Sequence, residues 1–207
     1  MQRFVSGFLL NILASLALQT LVTRALATTV QAETAQATTA PATQAESAGV
    51  WLDVPFIKQS EQGCGSAAIA MLLQYWGAHG TPVVSGRDDA AAIQKQLYSH
   101  KAHGIFASDM ERYLKESGFR AFALRGAWSD LRGHLGQGRP LIISLQPGRA
   151  SAPLHYVVVT GMDWQREAVF VNDPARGKLL RIERAEFEKE WLAARNWMLL
   201  AVPAPAG

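Results

Sequence analysis

The chain has 207 residues, 49% apolar and 18% charged, with a formal net charge of +3. That length allows one medium domain with an appendage rather than two full domains. Residues 1–32 carry Arg3, Arg24 and no acid, which leaves 18 basic against 17 acidic residues elsewhere. So near a balance argues against nucleic acid, or an anionic membrane surface, as the partner of the folded part.

Arg3 precedes an apolar stretch from Phe4 to Val22, and small-residue cleavage sites follow at Ala25-Leu26-Ala27 and Val30-Gln31-Ala32. This is the pattern of a signal peptide, with an N-terminal membrane anchor as the competing reading. Asn11, Ser15 and Gln19 interrupt the stretch and favour the signal. Either reading predicts export, to the periplasm or outside the cell, or a membrane tether through this segment. Residues 33–49, ETAQATTAPATQAESAG, are too small and polar to build a core and read as a flexible linker. A folded domain is expected over residues 50–203.

Residues 66–76 are apolar almost all round, which predicts a central buried helix ended by Gly77. Asp88 and Asp89 introduce a second helix over AAAIQKQLYSH, residues 90–100. Ser108 to Glu111 has the spacing of a capping box and opens a third helix closed by Gly118; a short fourth runs from Ser129 to Gly136. The period then changes. Strands are predicted over 119–125, 140–146, 154–162, 168–173, 178–183 and 196–202, with a helix over 184–194. Helices first and strands second give an α+β fold, with N-terminal helices packed on a mostly antiparallel sheet of five or six strands.

Cys64 is the only cysteine, which excludes an intramolecular disulfide and a thiolate-built structural zinc site. It stands between Gly63 and Gly65 at the start of the first predicted helix. A helix start favours the thiolate, the nucleophilic form of cysteine, and the glycines would permit a tight turn and the approach of a substrate backbone. Burial as a small core residue is the alternative. A nucleophilic thiol needs a base. His79, His100, His103 and His134 fall in turns or on polar helical faces, whereas His155 opens the apolar strand HYVVVTG, where an imidazole needs a partner. Asn172 and Asp173 end the next predicted strand, and a hairpin would return them beside His155; Asp163 lies at the hairpin tip, at the other end. An oxyanion donor shortly before Cys64 could be Gln59 or Gln62, with Gln59 preferred because it follows the strand-like VPFIK.

Together DVPFIKQSEQGCGSAAIAMLLQYWG, HYVVVTG and VNDPARGK resemble the bacteriocin-processing peptidases, papain-like cysteine peptidases that remove leader peptides after double-glycine sites. The resemblance spans nearly the whole domain. It implies a papain-like fold, Cys64 as nucleophile, His155 as general base, Asp173 as the residue orienting the imidazole and Gln59 as oxyanion donor. The family glutamine usually precedes the cysteine by six residues, a position held here by Lys58. No ATPase or membrane bundle follows the domain, so a stand-alone peptidase is expected, acting on a peptide or protein substrate without metal or organic cofactor. A thiol amidase or acyltransferase on the same triad, and a silent peptide-binding domain, are the alternatives.

Overall fold

The apolar runs of the second half form the middle of one antiparallel sheet. The computed structural model describes residues 48–148 and 152–205; the predicted signal or anchor, and the linker up to residue 47, lie outside them. In chain order the elements are β1 (Gly49–Trp51), α1 (Cys64–Ala78), α2 (Ala90–Leu97), α3 (Ala107–Glu116), β2 (Phe119–Arg125), α4 (Trp128–Leu135), β3 (Leu141–Leu145), β4 (His155–Asp163), β5 (Ala168–Asp173), β6 (Gly177–Glu183), α5 (Arg184–Ala193) and β7 (Trp197–Pro203). The sheet order is β2-β7-β3-β4-β5-β6, with β1 paired to β4. Every residue of β3 is buried, as is β4 after His155. Both faces are covered, which is why these strands read as continuous apolar runs rather than alternating ones.

The two faces carry different helices. Ile142, Val158 and Leu199 join residues of α1, α2 and α3 in one core, and Val157, Val159 and Val171 join Leu131, Phe187 and Trp191 of α4 and α5 in the other. The α+β expectation holds, and the C-terminal helices complete the second face. Buried in the first core, α1 is tied to its surroundings by Tyr75, whose hydroxyl donates to the Gly138 carbonyl at 2.8 Å, and by Trp76, whose indole N–H donates to that of Ala201 at 3.1 Å.

Several boundaries differ from the sequence reading. The seventh strand, β1, is three residues long and carries no periodicity of its own; Gly49, assigned to the linker, already pairs with Asp163. It lies close because β4 has Gly161 there, where a Cβ would come within 2.8 Å of the Val50 carbonyl oxygen. Helix α1 runs through Gly77 to Ala78, and the left-handed residue that follows is Gly80 (φ 83°). Helix α2 is capped as predicted, with Asp89 accepting from the Ala92 N–H at 2.7 Å, but it stops at Leu97, so Tyr98 to His100 leave the helix. The capping box of α3 does not form: Ser108 is already inside the helix, and Phe106 caps it without a side-chain hydrogen bond. Among the described residues no helix is long and apolar enough to cross a membrane.

The β4–β5 hairpin positions the candidate residues. Its register runs Asp163↔Ala168 to Gly161↔Phe170, then shifts so that Val159 pairs with Val171 and Val158 with Asn172. Thr160 is the extra residue of a bulge, and its carbonyl accepts from the Leu52 N–H at 2.7 Å. A second irregularity lies between Val171 and Asp173 on the β6 side. There the fully buried Asn172 amide fills the gap, donating to the Val54 carbonyl at 3.0 Å and accepting from the Leu179 N–H at 3.1 Å. Replacing Asn172 by Ala strands both backbone groups, with an expected loss of about 2–3 kcal/mol. Urea unfolding measures it, and a loss under about 0.5 kcal/mol would mean that the amide does not hold this bulge.

Candidate functional site

Cys64 is the first residue of α1, so its side chain meets the unpaired N–H groups and positive end of a buried 15-residue helix. Two hydrogen bonds fix that first turn: the Ser66 hydroxyl lies 2.9 Å from the Gly63 carbonyl and 3.0 Å from Gln94 Oε1 of α2. The flanking glycines permit close packing of the turn and the helix start. A Cβ on Gly63 would lie 2.7 Å from Ser60 Oγ in the preceding turn, and one on Gly65 would press on Ile105 at 3.2 Å and Tyr156 at 3.5 Å. The left-handed residue of the turn is Gln62 (φ 54°).

His155 opens β4 and Asp173 closes β5. The register sets Asp173 opposite Val157, diagonal to His155 on the same sheet face. His155 Nε2 lies 2.7 Å from Asp173 Oδ1, and the same oxygen accepts from the N–H groups of Ala175 at 2.9 Å and Arg176 at 3.2 Å. With Nε2 engaged, Nδ1 is the ring nitrogen left to hydrogen-bond the Cys64 thiol. The backbone N–H groups of Tyr156 and Gly65 also bond to the sulfur.

These contacts set the charges. Burial pushes the Cys64 thiol up, but hydrogen bonds from His155, Tyr156 and Gly65, with the imidazolium charge, outweigh it and hold the thiol below its ordinary value. Burial pulls His155 down, yet the bonds to Asp173 and Cys64 and their negative charges raise it to about 9. Burial opposes ionisation of Asp173 too, and His155 with the Ala175 and Arg176 N–H groups keeps it below the usual carboxylate range. The three shifts run in one direction, towards thiolate, imidazolium and carboxylate, and a thiolate is the form in which a cysteine is nucleophilic.

The three residues and Gln59 line a cavity of about 430 Å³, whose other walls include Leu145, Leu154, Ile182 and Glu190. Gln59 is anchored through its N–H, which donates to the Pro174 carbonyl at 3.0 Å, while its buried side-chain oxygen has no partner. Gln62 also reaches the cavity, but its amide oxygen is taken by the Tyr98 hydroxyl. Lys58 is exposed. Asp163 caps its own turn, accepting from the N–H groups of Gln165 and Arg166 at the far end of β4. Of the other histidines, His103 lines the cavity, which its sequence neighbourhood did not indicate. The Tyr156 N–H bond to the sulfur left no sequence signal either, because any residue supplies it.

A sequence model of the Peptidase_C39 like family matches residues 51–198, which contain every group described above. The chain belongs to that family. Three solved structures share the fold of this C39-like chain. A C39-like peptidase from Bacillus anthracis is 19% identical with a TM-score of 0.60, covering 75% of this chain and 98% of that one. A double glycine motif protease from an AMS/PCAT transporter, solved with the leader peptide, is 22% identical with a TM-score of 0.56 over 75% of this chain and 95% of its own. The peptidase domain of Streptococcus ComA, a bi-functional ABC transporter, is 20% identical with a TM-score of 0.57 over 72% and 98%. No curated protein matches the chain.

The electrostatics of the C39-like site predict how Cys64 labels. Alkylation by iodoacetamide should stay fast in mildly acidic solution and fall only when pH drops through the lowered thiol pKa. In His155→Gln the fast reaction should retreat to alkaline pH. Identical pH profiles for the two proteins would show that His155 does not hold the thiolate.

Proposed function

We propose that this C39-like chain is a cysteine peptidase that hydrolyses peptide bonds of a peptide or protein substrate. The observation that carries the reading is the convergence of Cys64, His155 and Asp173 on the wall of one open cavity, with the imidazole held by Asp173 at 2.7 Å and lowering the Cys64 thiol pKa. In it the Cys64 thiolate attacks the scissile carbonyl carbon, and the carbonyl electrons move to oxygen. The Cys64 N–H and the Gln59 side-chain N–H receive that oxyanion; Gln59 is preferred to Gln62 because its backbone is registered against Pro174 at the end of β5, beside Asp173, whereas the Gln62 amide is turned to Tyr98. The imidazolium gives its proton to the leaving amine, the C–N bond breaks, and a thioester remains. His155 then takes a proton from water as the water attacks the thioester, and the thiolate leaves with the acid product. Asp173 keeps the ring oriented and stabilises its positive form in both halves.

The signal-like charge and apolar pattern of residues 1–32 adds a location to this proposal: the peptidase acts after export. N-terminal sequencing of the chain from cells should begin at Thr28 or Glu33; an intact Met1 would leave the anchor reading.

A peptide library read by mass spectrometry tests the activity. Wild type should release paired hydrolysis products, without incorporating added amine, and Cys64→Ala should release none. Gln59→Ala should lower kcat by about 10²–10³-fold, the usual cost of a lost oxyanion donor, while Gln62→Ala should change it only a few-fold. The pH profile should be bell-shaped. Its acid limb follows protonation of the lowered Cys64 thiol, and its alkaline limb falls near 9 as His155 loses the proton that the leaving amine needs. Unchanged cleavage by Cys64→Ala would overturn the proposal.

A further inference from the structure

A second cavity, of about 610 Å³, opens beside the first, and Leu154 forms a wall of both. Its lining includes Arg125, Arg195, Ser144, Tyr156 and Ala107, and no aspartate or glutamate. Neither guanidinium has an ion-pair or hydrogen-bond partner among the described residues. Ala107 is the first residue of the ten-residue helix α3, whose N-terminus no side chain caps, so unpaired N–H groups and a partial positive charge face the same space. Ser144, 2% exposed and paired across the sheet with Tyr156, lines this cavity and leaves its buried hydroxyl without a partner. Two unpaired guanidiniums, an unsatisfied hydroxyl and an uncapped helix start, whose first-turn acid Asp109 is paired with Arg112 at 2.9 Å and is outside the lining, form a receptor for an anion with at least two acceptor oxygens.

The cavity also belongs to the route of a bound peptide. Tyr156 lines it and directly follows His155 at the start of β4, and Leu154, which directly precedes His155, lines both cavities. From β4 the sheet continues through β3 and β7 to β2, so Arg125 stands three strand spacings from the strand that carries His155. At about 4.8 Å per spacing that is roughly 14 Å, which an extended peptide covers in about four residues; Arg195, beside the start of β7, is about one residue nearer. We propose that this cavity is a subsite for a carboxylate of the peptide substrate, held by Arg125 and Arg195 about three to four residues from the bond that is cut. The proposal deepens the peptidase reading and rests on it for the chain that passes Cys64. The carboxylate can come from an acidic side chain or from the peptide's own C-terminus, and the guanidiniums recognise the same two oxygens in each case.

The test starts from a neutral peptide that wild type cuts. One set, amidated at its end, carries a single Glu or Gln at successive positions on each side of the cleaved bond; a second set ends in a free carboxylate at those positions. A carboxylate three or four residues away should raise kcat/KM about tenfold over its neutral counterpart, and the set that gains identifies its source. The gain should shrink with added salt and vanish in Arg125→Gln/Arg195→Gln, which should still cut the neutral peptide at the wild-type rate. Fluorescence anisotropy of the same peptides on Cys64→Ala reads the subsite without cleavage. Binding that favours the carboxylate in the absence of any hydrolysis would overturn the peptidase reading and keep the subsite. Equal binding and cleavage of Glu, Gln and free-carboxylate peptides at every position would overturn the subsite and leave the peptidase reading intact.

Discussion

The molecule depends on where one buried helix begins. Helix α1 packs its apolar circumference between the sheet and α2 and α3, and that packing fixes its first residue against the start of β4. A Cβ on Gly65 would press on Ile105 at 3.2 Å and touch Tyr156 of β4 at 3.5 Å, so the helix start is seated closely on both. Cys64 thereby receives the helix field on one side and the Tyr156 N–H on the other. Neither stabilises a thiolate as an exposed cysteine would meet it, in water and screened; both act within a half-buried site where the same partial charges count for more.

The site divides its work between a rigid and a polar half. Cys64, His155 and Asp173 each begin or end a regular element, so their backbones are held by helix or ladder hydrogen bonds. The segment before α1 is held differently, by local bonds: Gln59 to Pro174, Gly63 to Ser60, and the Gln62 side chain to Tyr98. One of these crosses to the end of β5, so the loop that carries Gln59 is registered against the strand that carries Asp173.

Much of this was legible in the sequence because burial writes itself as period. The all-round apolarity of α1 and the unbroken runs of β3 and β4 gave element type and burial together, and His155 drew notice because it opens such a run. Asp173 was reachable from hairpin length. What stayed hidden has no side-chain code. Strand β1 is set by a three-residue pairing against Gly161, the end of α2 by the bond of Tyr98 to Gln62 rather than by a breaker, and the failed capping box of α3 by a chain that enters the helix two residues early. The glycines beside Cys64 suggested a tight turn, and their missing Cβ atoms do leave room for Ser60 and Ile105.

The bulge at Thr160 has a consequence for how this hairpin can vary. Without the extra residue, the tip register of Asp163 with Ala168 would carry Asp173 opposite Val158, on the sheet face away from His155. The inserted residue changes odd to even along β4, bringing the carboxylate and the imidazole onto one face while Met162 and Val169 still meet the same core as Val159 and Val171. Between Thr160 and His155 the strand counts in twos: a single-residue insertion or deletion there would preserve every hydrogen-bonding group of the ladder and still set the acid and the base back to back.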